Sequence, residues 1–190
     1  SGATGTIQVS DQSVLDVSDG GGGTVTIRGG RFVLSDSMIF ANVLGPAEAT
    51  PGKGIDIAVA QDAVIQNGSI LDTSIFADAT PGVKYGGVTI RADRIEILRA
   101  QGASETAIFS DVLGSAGGDS GDILLTAGSI LMRGTETSRP RLSAGTEESA
   151  GNAGKITLDT IGNLEIDRGT IISNVFLSSG DAGNIALSSA

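Results

Sequence analysis

The stretch GNAGKITLDTIGNLEIDRGTIISN, from Gly151 to Asn174, decides the fold. It holds three short alternating apolar runs, KITLD, LEID and TIIS, separated by Gly and Asn. Residues i and i+2 of a strand lie on one face, so Ile156 and Leu158 share one face. The stretch shows no i, i+3, i+4, i+7 stripe of apolar residues, which a helix would require. It therefore predicts three short strands joined by tight turns.

The first run recurs along the chain with a period of about 33 residues, which is typical of a solenoid. Its copies are GTVTI, GIDIAV, GVTIRA, GDILLT, GKITLD and GNIALS, with a weaker copy, GTIQV, before them. The first apolar residues of the six copies are Val25, Ile55, Val88, Ile123, Ile156 and Ile185. The residues between the apolar pairs, such as Thr26, Asp56 and Glu165, are mostly polar and are predicted to face solvent.

Two further runs follow in each repeat. The second run comprises the pairs Phe32/Leu34, Ala63/Ile65, Ile95/Ile97, Ile130/Met132 and Leu164/Ile166. The third run reads IFAN, IFAD, IFSD, RLSA and IISN, and predicts an inward stack of Phe40, Phe76, Phe109, Leu142 and Ile172. Two residues further on, a possible polar ladder at a corner comprises Asn42, Asp78, Asp111 and Asn174. The alternative is that these four are surface Asx-turn residues.

One repeat cannot bury its own apolar edge, whereas stacked copies can pair each strand with its equivalent in the next copy. The predicted fold is all-β, a right-handed parallel β-helix with three sheets and about five to six coils. Residues 1–22 are predicted to form an atypical first coil at the end of a preceding secretion domain. Residues 23–190 form one continuous solenoid of the repeats.

Composition excludes several classes of function. The net charge is −10, with 12 basic against 22 acidic residues, so we expect no nucleic-acid partner. The chain has no His and no Cys, which removes Ser–His–Asp and Cys–His catalysis and the usual zinc ligands. We expect no metal, no cofactor, no membrane insertion and no enzymatic activity. Paired carboxylates remain an alternative, with Asp56 and Asp122 as the residues to test.

The segments GTVTIRGGRFVLSDSMIFAN and SAGNAGKITLDTIGNLEIDRGTIIS resemble the β-helical region after the secretion domain of filamentous-haemagglutinin-like exoproteins. The resemblance covers residues 5 to 190, but the Asn-Pro motifs of the family's secretion domain are absent. It implies a secreted protein at the bacterial cell surface, associated with the outer membrane. Its export partner would be an outer-membrane β-barrel transporter in two-partner secretion. No functional residue carries over, because the family's shaft repeats have none.

The expected function is therefore a non-catalytic shaft of an adhesin-like exoprotein that supports adhesion or biofilm formation, with an unidentified receptor. A first alternative is a module that binds a glycan or a host protein through variable loops, such as LGPAEATPGKG and GTETSRPRLSAGTEESAG. A second alternative is a polysaccharide lyase or hydrolase of β-helix fold.

Overall fold

The computed structural model describes residues 4–45, 52–76, 79–80 and 82–190. Within these residues the chain forms nineteen β-strands and no helix. Every strand pairing is parallel, and each strand pairs with its equivalent about one repeat away. The predicted parallel β-helix is confirmed, with about five turns. None of the described residues forms a helix that could span a lipid bilayer.

The first face of the solenoid consists of the first run of every repeat. Its strands are β3 (Thr24–Gly29), β6 (Gly54–Val59), the first half of β9 (Val88–Leu98), the first half of β12 (Ile123–Arg133), β15 (Ile156–Thr160) and β19 (Ile185–Ser189). The register pairs Val25 with Ile55, Ile55 with Val88, and so on to Ile185. The first column predicted from the repeats is therefore confirmed residue by residue.

The second face consists of the second run. Its strands are β1 (Thr6–Ser10), β4 (Arg31–Ser35), β7 (Asp62–Gln66), the second halves of β9 and β12, and β16 (Leu164–Asp167). The predicted pairs, from Phe32/Leu34 to Leu164/Ile166, form its inward columns. One assignment is wrong: Ile7 pairs with Phe32, so GTIQV belongs to this face and not to the first. The described part of residues 1–22 thus already contributes strands to the same solenoid.

The third face consists of three-residue strands, and here the predicted inward stack is wrong. Its strands are β2 (Val14–Asp16), β5 (Met38–Phe40), β8 (Ile70–Asp72), β10 (Ala107–Phe109), β13 (Arg141–Ser143) and β17 (Thr170–Ile172). The inward column is Leu15, Ile39, Leu71, Ile108, Leu142 and Ile171. Of the predicted stack, only Leu142 lies in this column.

Phe40, Phe109 and Ile172 lie one residue beyond that column, so they face outward and are only half-buried. A shift of one residue moves a side chain to the opposite face of a strand. Phe76 lies outside this sheet altogether and is 48% exposed. The register aligns Met38–Phe40 with Ile70–Asp72, so the IFAN and IFAD strings are not equivalent positions.

A small fourth sheet follows the third face at the next corner. It contains β11 (Val112–Leu113), β14 (Thr146–Glu147) and β18 (Val175–Phe176). Isolated parallel bridges extend its column through Asp19, Val43 and Ile75. The buried residues Val43, Ile75 and Val112 pack with Tyr85 in a cluster separate from the main core. The coils therefore have an additional short face, which the three-run repeat did not predict.

Candidate functional site

The phenylalanines of this chain concentrate on one side of the solenoid. Of its five Phe residues, only Phe32 lies in the main core. The others lie on the outer surface of the third and fourth sheets, where Phe76 and Phe176 are about half exposed, at 48% and 53%. The register aligns one exposed row along this side: Leu44, Phe76, Leu113, Glu147 and Phe176. Leu44, Phe76 and Phe176 of this row are exposed apolar residues, so this side of the solenoid is the candidate contact surface.

A polar ladder occupies the corner between the third and fourth sheets. The backbone N–H of Asn42 donates to Ser18 Oγ at 3.0 Å, and that of Ser74 donates to Asn42 Oδ1 at 2.9 Å. The N–H of Asp111 donates to Ser74 Oγ at 3.1 Å, and that of Gly145 donates to Asp111 Oδ1 at 2.7 Å. Each rung thus satisfies a backbone donor of the next coil, which a buried corner requires.

The structure places three of the four predicted corner residues in this ladder column. Asn42 and Asp111 are rungs, and Asn174 occupies the equivalent position in the last coil. Asp78 lies outside the described residues, and Ser74 holds the equivalent position in that coil. The alternative, that these are only surface turn residues, fails for Asn42, which is 8% exposed.

The ladder is interrupted at Gly145, which has no side chain to continue it. A Cβ there would lie 2.8 Å from Asn174 Oδ1 and 2.9 Å from Asn174 O, so the site favours glycine. Gly145 lines a cleft of about 190 Å³ that we call the notch. Its lining residues are Asp111, Leu113, Arg141, Ser143, Gly145, Thr146, Glu147, Ile172, Asn174 and Phe176.

The notch holds a linked set of polar groups. Asp111 Oδ1 accepts a hydrogen bond from Ser143 Oγ at 2.8 Å, and Ser143 Oγ accepts one from Arg141 Nη2 at 3.2 Å. The guanidinium of Arg141 also lies over the ring of Phe109, with 5.3 Å from Cζ to the ring centroid. This stacking fixes the plane of the guanidinium beside the notch.

Two polar atoms at the notch have no hydrogen-bond partner among the described residues. They are Thr146 Oγ1, on a residue only 2% exposed, and Arg141 Nε. Thr146 is the register partner of Val112 and Val175, so its hydroxyl lies in the buried column of the fourth sheet and not on the open side of the notch. The open side of the notch therefore presents two carboxylates, on Asp111 and Glu147, and an apolar wall.

The coil before the notch contains a buried carboxylate, Asp72. Its Oδ1 accepts hydrogen bonds from the N–H of Ser74 at 2.9 Å and from Ser74 Oγ at 2.5 Å. Asn42 Nδ2 donates to its Oδ2 at 3.4 Å. Burial raises the pKa of Asp72 despite these hydrogen bonds, and the nearby charge of Asp111 acts in the same direction.

The carboxylates considered for polysaccharide cleavage are not brought together. Asp56 pairs with Arg28 at 2.5 Å and with Arg91 at 3.5 Å on the first face. Asp122, two coils further along, pairs with Lys84 at 2.8 Å and accepts the N–H of Lys155 at 2.7 Å. Across the described residues, no group of three or more acidic side chains could hold a metal ion.

The loops proposed for binding have a different character from the one expected. Much of LGPAEATPGKG lies outside the described residues, at 46–51. The segment GTETSRPRLSAGTEESAG contains strands β13 and β14, so its centre is sheet and not loop. Sequence reasoning missed Arg141, Thr146 and Phe176 as site residues. The available signal was the recurrence of Leu or Phe directly after Val43, Ile75, Val112 and Val175.

Comparisons of the chain with protein-family models, with curated proteins and with solved structures find no match.

Proposed function

We propose that this chain is a non-catalytic shaft segment of a secreted, adhesin-like exoprotein. The observation that carries the proposal is the uninterrupted register of the coils. Each of the three main faces contains six parallel strands, and neighbouring strands keep one continuous register. A structure in which each unit contacts only its neighbours grows in one dimension, and this gives length without a large globular core.

Side chains reinforce the contact between coils in addition to the backbone pairing. Besides the corner ladder, Asn152 of the GNAG motif links three coils at another corner. Its backbone N–H donates to Asp119 Oδ1 at 2.9 Å, and its Oδ1 accepts the N–H of Asp181 at 2.8 Å. Asp119 and Asp181 hold the equivalent positions of the neighbouring coils, so Asp or Asn side chains occupy this corner in three successive coils.

The same proposal covers export and location. The resemblance of the GNAG-type repeats to filamentous-haemagglutinin-like exoproteins supports two-partner secretion through an outer-membrane β-barrel transporter. The solenoid would lie at the bacterial surface and support adhesion or biofilm formation. Growth coil by coil suits a chain that folds after crossing a membrane, because each new coil docks on the one before it.

Deletion of whole coils tests the shaft role. Ile55 and Val88 are register partners, so deleting residues 55–87 joins two equivalent positions and shortens the rod by one coil. We expect the shortened exoprotein to be exported and folded, as shown by protease resistance and antibody labelling of intact cells. Deleting residues 55–70 removes about half a coil and is the matched control, which should abolish protease resistance.

The proposal fails if the whole-coil deletion unfolds the protein as completely as the half-coil deletion does. It also fails in its export part if surface labelling is unchanged when the gene of the transporter is deleted.

A second candidate function is a binding module, and the notch is the observation that favours it. Deleting residues 123–155 also removes one whole coil, because Ile123 and Ile156 are register partners, but it takes half of the notch lining with it. A pure shaft tolerates both deletions equally in an adhesion assay. A binding module loses adhesion only with the deletion of 123–155.

A further inference from the structure

We propose that Asn67 and Gly68 form a deamidation site that the stacking of the next coil keeps closed. The proposal goes beyond the shaft role and does not depend on it or on the export route. It rests on the sequence at this corner, on two hydrogen bonds to neighbouring coils and on the burial of one backbone N–H group.

The sequence favours reaction at this asparagine over the others. It contains one Asn-Gly pair, which directly follows strand β7. The residues after the other asparagines are Val, Ala, Leu or Ile. Glycine has no Cβ, so the nitrogen of Gly68 can approach the side-chain carbonyl carbon of Asn67 without steric hindrance. Asn67 is therefore the asparagine of this chain that cyclises most readily when its backbone is free.

The reaction is an intramolecular acyl transfer that needs no cofactor. The backbone nitrogen of Gly68 loses its proton and attacks Asn67 Cγ, the Cγ–Nδ2 bond breaks, and the side-chain nitrogen leaves as ammonia. Water then opens the resulting succinimide at one of its two carbonyl carbons, which gives aspartate or isoaspartate at position 67. The Gly68 N–H must therefore be free of hydrogen bonds and accessible to base before the reaction can begin.

The fold closes this N–H group. Asn67 is exposed, whereas Gly68 is buried. The N–H of Gly68 donates to Thr106 Oγ1 of the next coil at 3.0 Å, and Thr106 is fully buried. Ser104 lies so close over Gly68 that a Cβ on the glycine would be 2.9 Å from Ser104 Cβ. A backbone N–H that is covered and hydrogen-bonded becomes accessible only when the structure opens locally.

The side chain of Asn67 is held from the opposite direction. Its Nδ2 donates to Ser35 Oγ of the preceding coil at 3.1 Å. The backbone of Asn67 is left-handed, with φ of 56°, a conformation that asparagine adopts more readily than most residues. The attacking nitrogen and the leaving amide are thus tied to two different coils, so the reaction requires these coils to separate at the corner.

The segment that covers the site connects strands β9 and β10. Arg99 holds it in place, since Nη1 donates to Arg139 O at 2.9 Å and Nη2 donates to Ala103 O at 3.4 Å. A connection held by few hydrogen bonds opens more readily than the strands on either side of it. Local opening of residues 99–106 would therefore expose the Gly68 N–H while the sheets stay paired.

The product cannot return to the original corner. Isoaspartate adds one methylene group to the main chain directly after Gln66, whose carbonyl accepts the N–H of Asp36 at 3.3 Å. The alternative product, aspartate, places a new negative charge beside Asp36, because the pairing of Ser35 with Gln66 makes Asp36 the neighbour of position 67 on the preceding coil. Each opening that leads to reaction thus leaves a permanent covalent change.

The test compares deamidation in the folded and the unfolded chain. The purified chain is incubated in mildly alkaline buffer with or without guanidinium chloride, digested with trypsin and analysed by mass spectrometry. Peptide 54–84 has Asn67 as its one asparagine, and peptide 156–168 has Asn163, followed by Leu, as the internal reference. We expect peptide 54–84 to deamidate in the unfolded chain and at least about tenfold more slowly in the folded chain. The reference peptide should stay unchanged in both.

Two variants test the role of the next coil. Thr106→Val removes the acceptor of the Gly68 N–H and should accelerate deamidation of the folded chain about fivefold, as expected for the loss of one hydrogen bond from the closed state. Thr157→Val, at a half-buried threonine on the first face, is the matched control and should leave the rate unchanged. If Thr106→Val unfolds the chain, amide hydrogen exchange of the wild type decides, and the Gly68 N–H should exchange at least about tenfold more slowly than in the unfolded chain.

The proposal is overturned if Asn67 deamidates equally fast in the folded and unfolded chains, or if it stays intact in the unfolded chain. Equal rates for folded Thr106→Val and Thr157→Val would also overturn it, as would exchange of the Gly68 N–H at the rate of an unfolded chain.

Discussion

Ile108→Ala and Phe109→Ala compare two neighbouring residues that the register places on opposite sides of one strand. Ile108 is fully buried between Leu71 and Leu142 in the inward column. Truncating a buried Ile to Ala costs about 2–5 kcal/mol through lost burial and the cavity left behind. Phe109 faces outward and holds the guanidinium of Arg141. Its loss costs roughly 0.5–1 kcal/mol for the cation–π contact, plus a partial loss of apolar contact.

Urea unfolding followed by circular dichroism measures both costs. With a slope of about 3 kcal/mol per M, Ile108→Ala should lower the unfolding midpoint by roughly 1 M. Phe109→Ala should lower it by less than half as much. The register would be refuted if Phe109→Ala destabilised the protein as much as Ile108→Ala, or more. That result would restore the aromatic stack that the repeated IF strings predict.

Three further predictions test the corner and the exposed row. Asn42→Ala should lower the free energy of unfolding by about 0.5–1.5 kcal/mol in the same urea assay, because it removes one hydrogen bond between coils and leaves the N–H of Ser74 with Asp72 Oδ1 alone; no measurable loss would mean that the ladder is not formed. Burial raises the pKa of Asp72 in the folded chain above its value in the unfolded chain. The contribution of this group to the free energy of unfolding is therefore complete below the ordinary carboxyl pKa, and it is lost as the pH rises through the folded pKa. The stability of the wild type relative to Asp72→Asn should therefore fall as the pH rises above the ordinary carboxyl pKa, and a rise with pH would contradict this environment. Phe76→Asp should change the melting temperature little, whereas Ile75→Asp, at a residue 1% exposed, should unfold the protein at room temperature; equal effects would show that Phe76 is buried.

The first and second faces could be predicted from the sequence because their strands are long enough to show alternation. A strand of five or more residues contains two inward apolar residues and a polar residue between them, as in Ile156-Thr157-Leu158. That pattern fixes both the strand and its register. The copies of these runs are also preceded by Gly turns, which mark where each coil begins.

The third face could not be predicted in the same way because its strands have only three residues and one inward side chain each. Neighbouring apolar residues, as in Ile39-Phe40 and Ile108-Phe109, leave two registers that differ by one residue. In both pairs the isoleucine is buried in the inward column, and the larger phenylalanine ring lies on the outer surface. Similar strings such as IFAN and IFAD then suggest an alignment that the pairing of Phe40 with Asp72 contradicts.

The notch could not be predicted at all from single residues. It lies where the ladder column has Gly145 between Asp111 and Asn174, at the corner between the third and fourth sheets. Taken singly, each of these residues is of a type that is common in turns or strands, so none of them indicates a site. Only the register between coils brings Arg141, Thr146 and Phe176 to one cleft.

A pair of engineered disulfides tests the stacking register most directly, and the chain has no cysteine of its own to interfere. Met38 and Ile70 are register partners on adjacent coils. Their Cα atoms should lie about 4.8 Å apart, within the roughly 4.4–6.8 Å that a disulfide spans. The double variant Met38→Cys/Ile70→Cys should therefore oxidise to a crosslinked monomer, detected by its faster migration in non-reducing gel electrophoresis. Met38→Cys/Ser74→Cys, which an alignment of the two IFA strings would favour, should stay reduced. A crosslink in the second variant and none in the first would contradict the coil register on which the whole account depends.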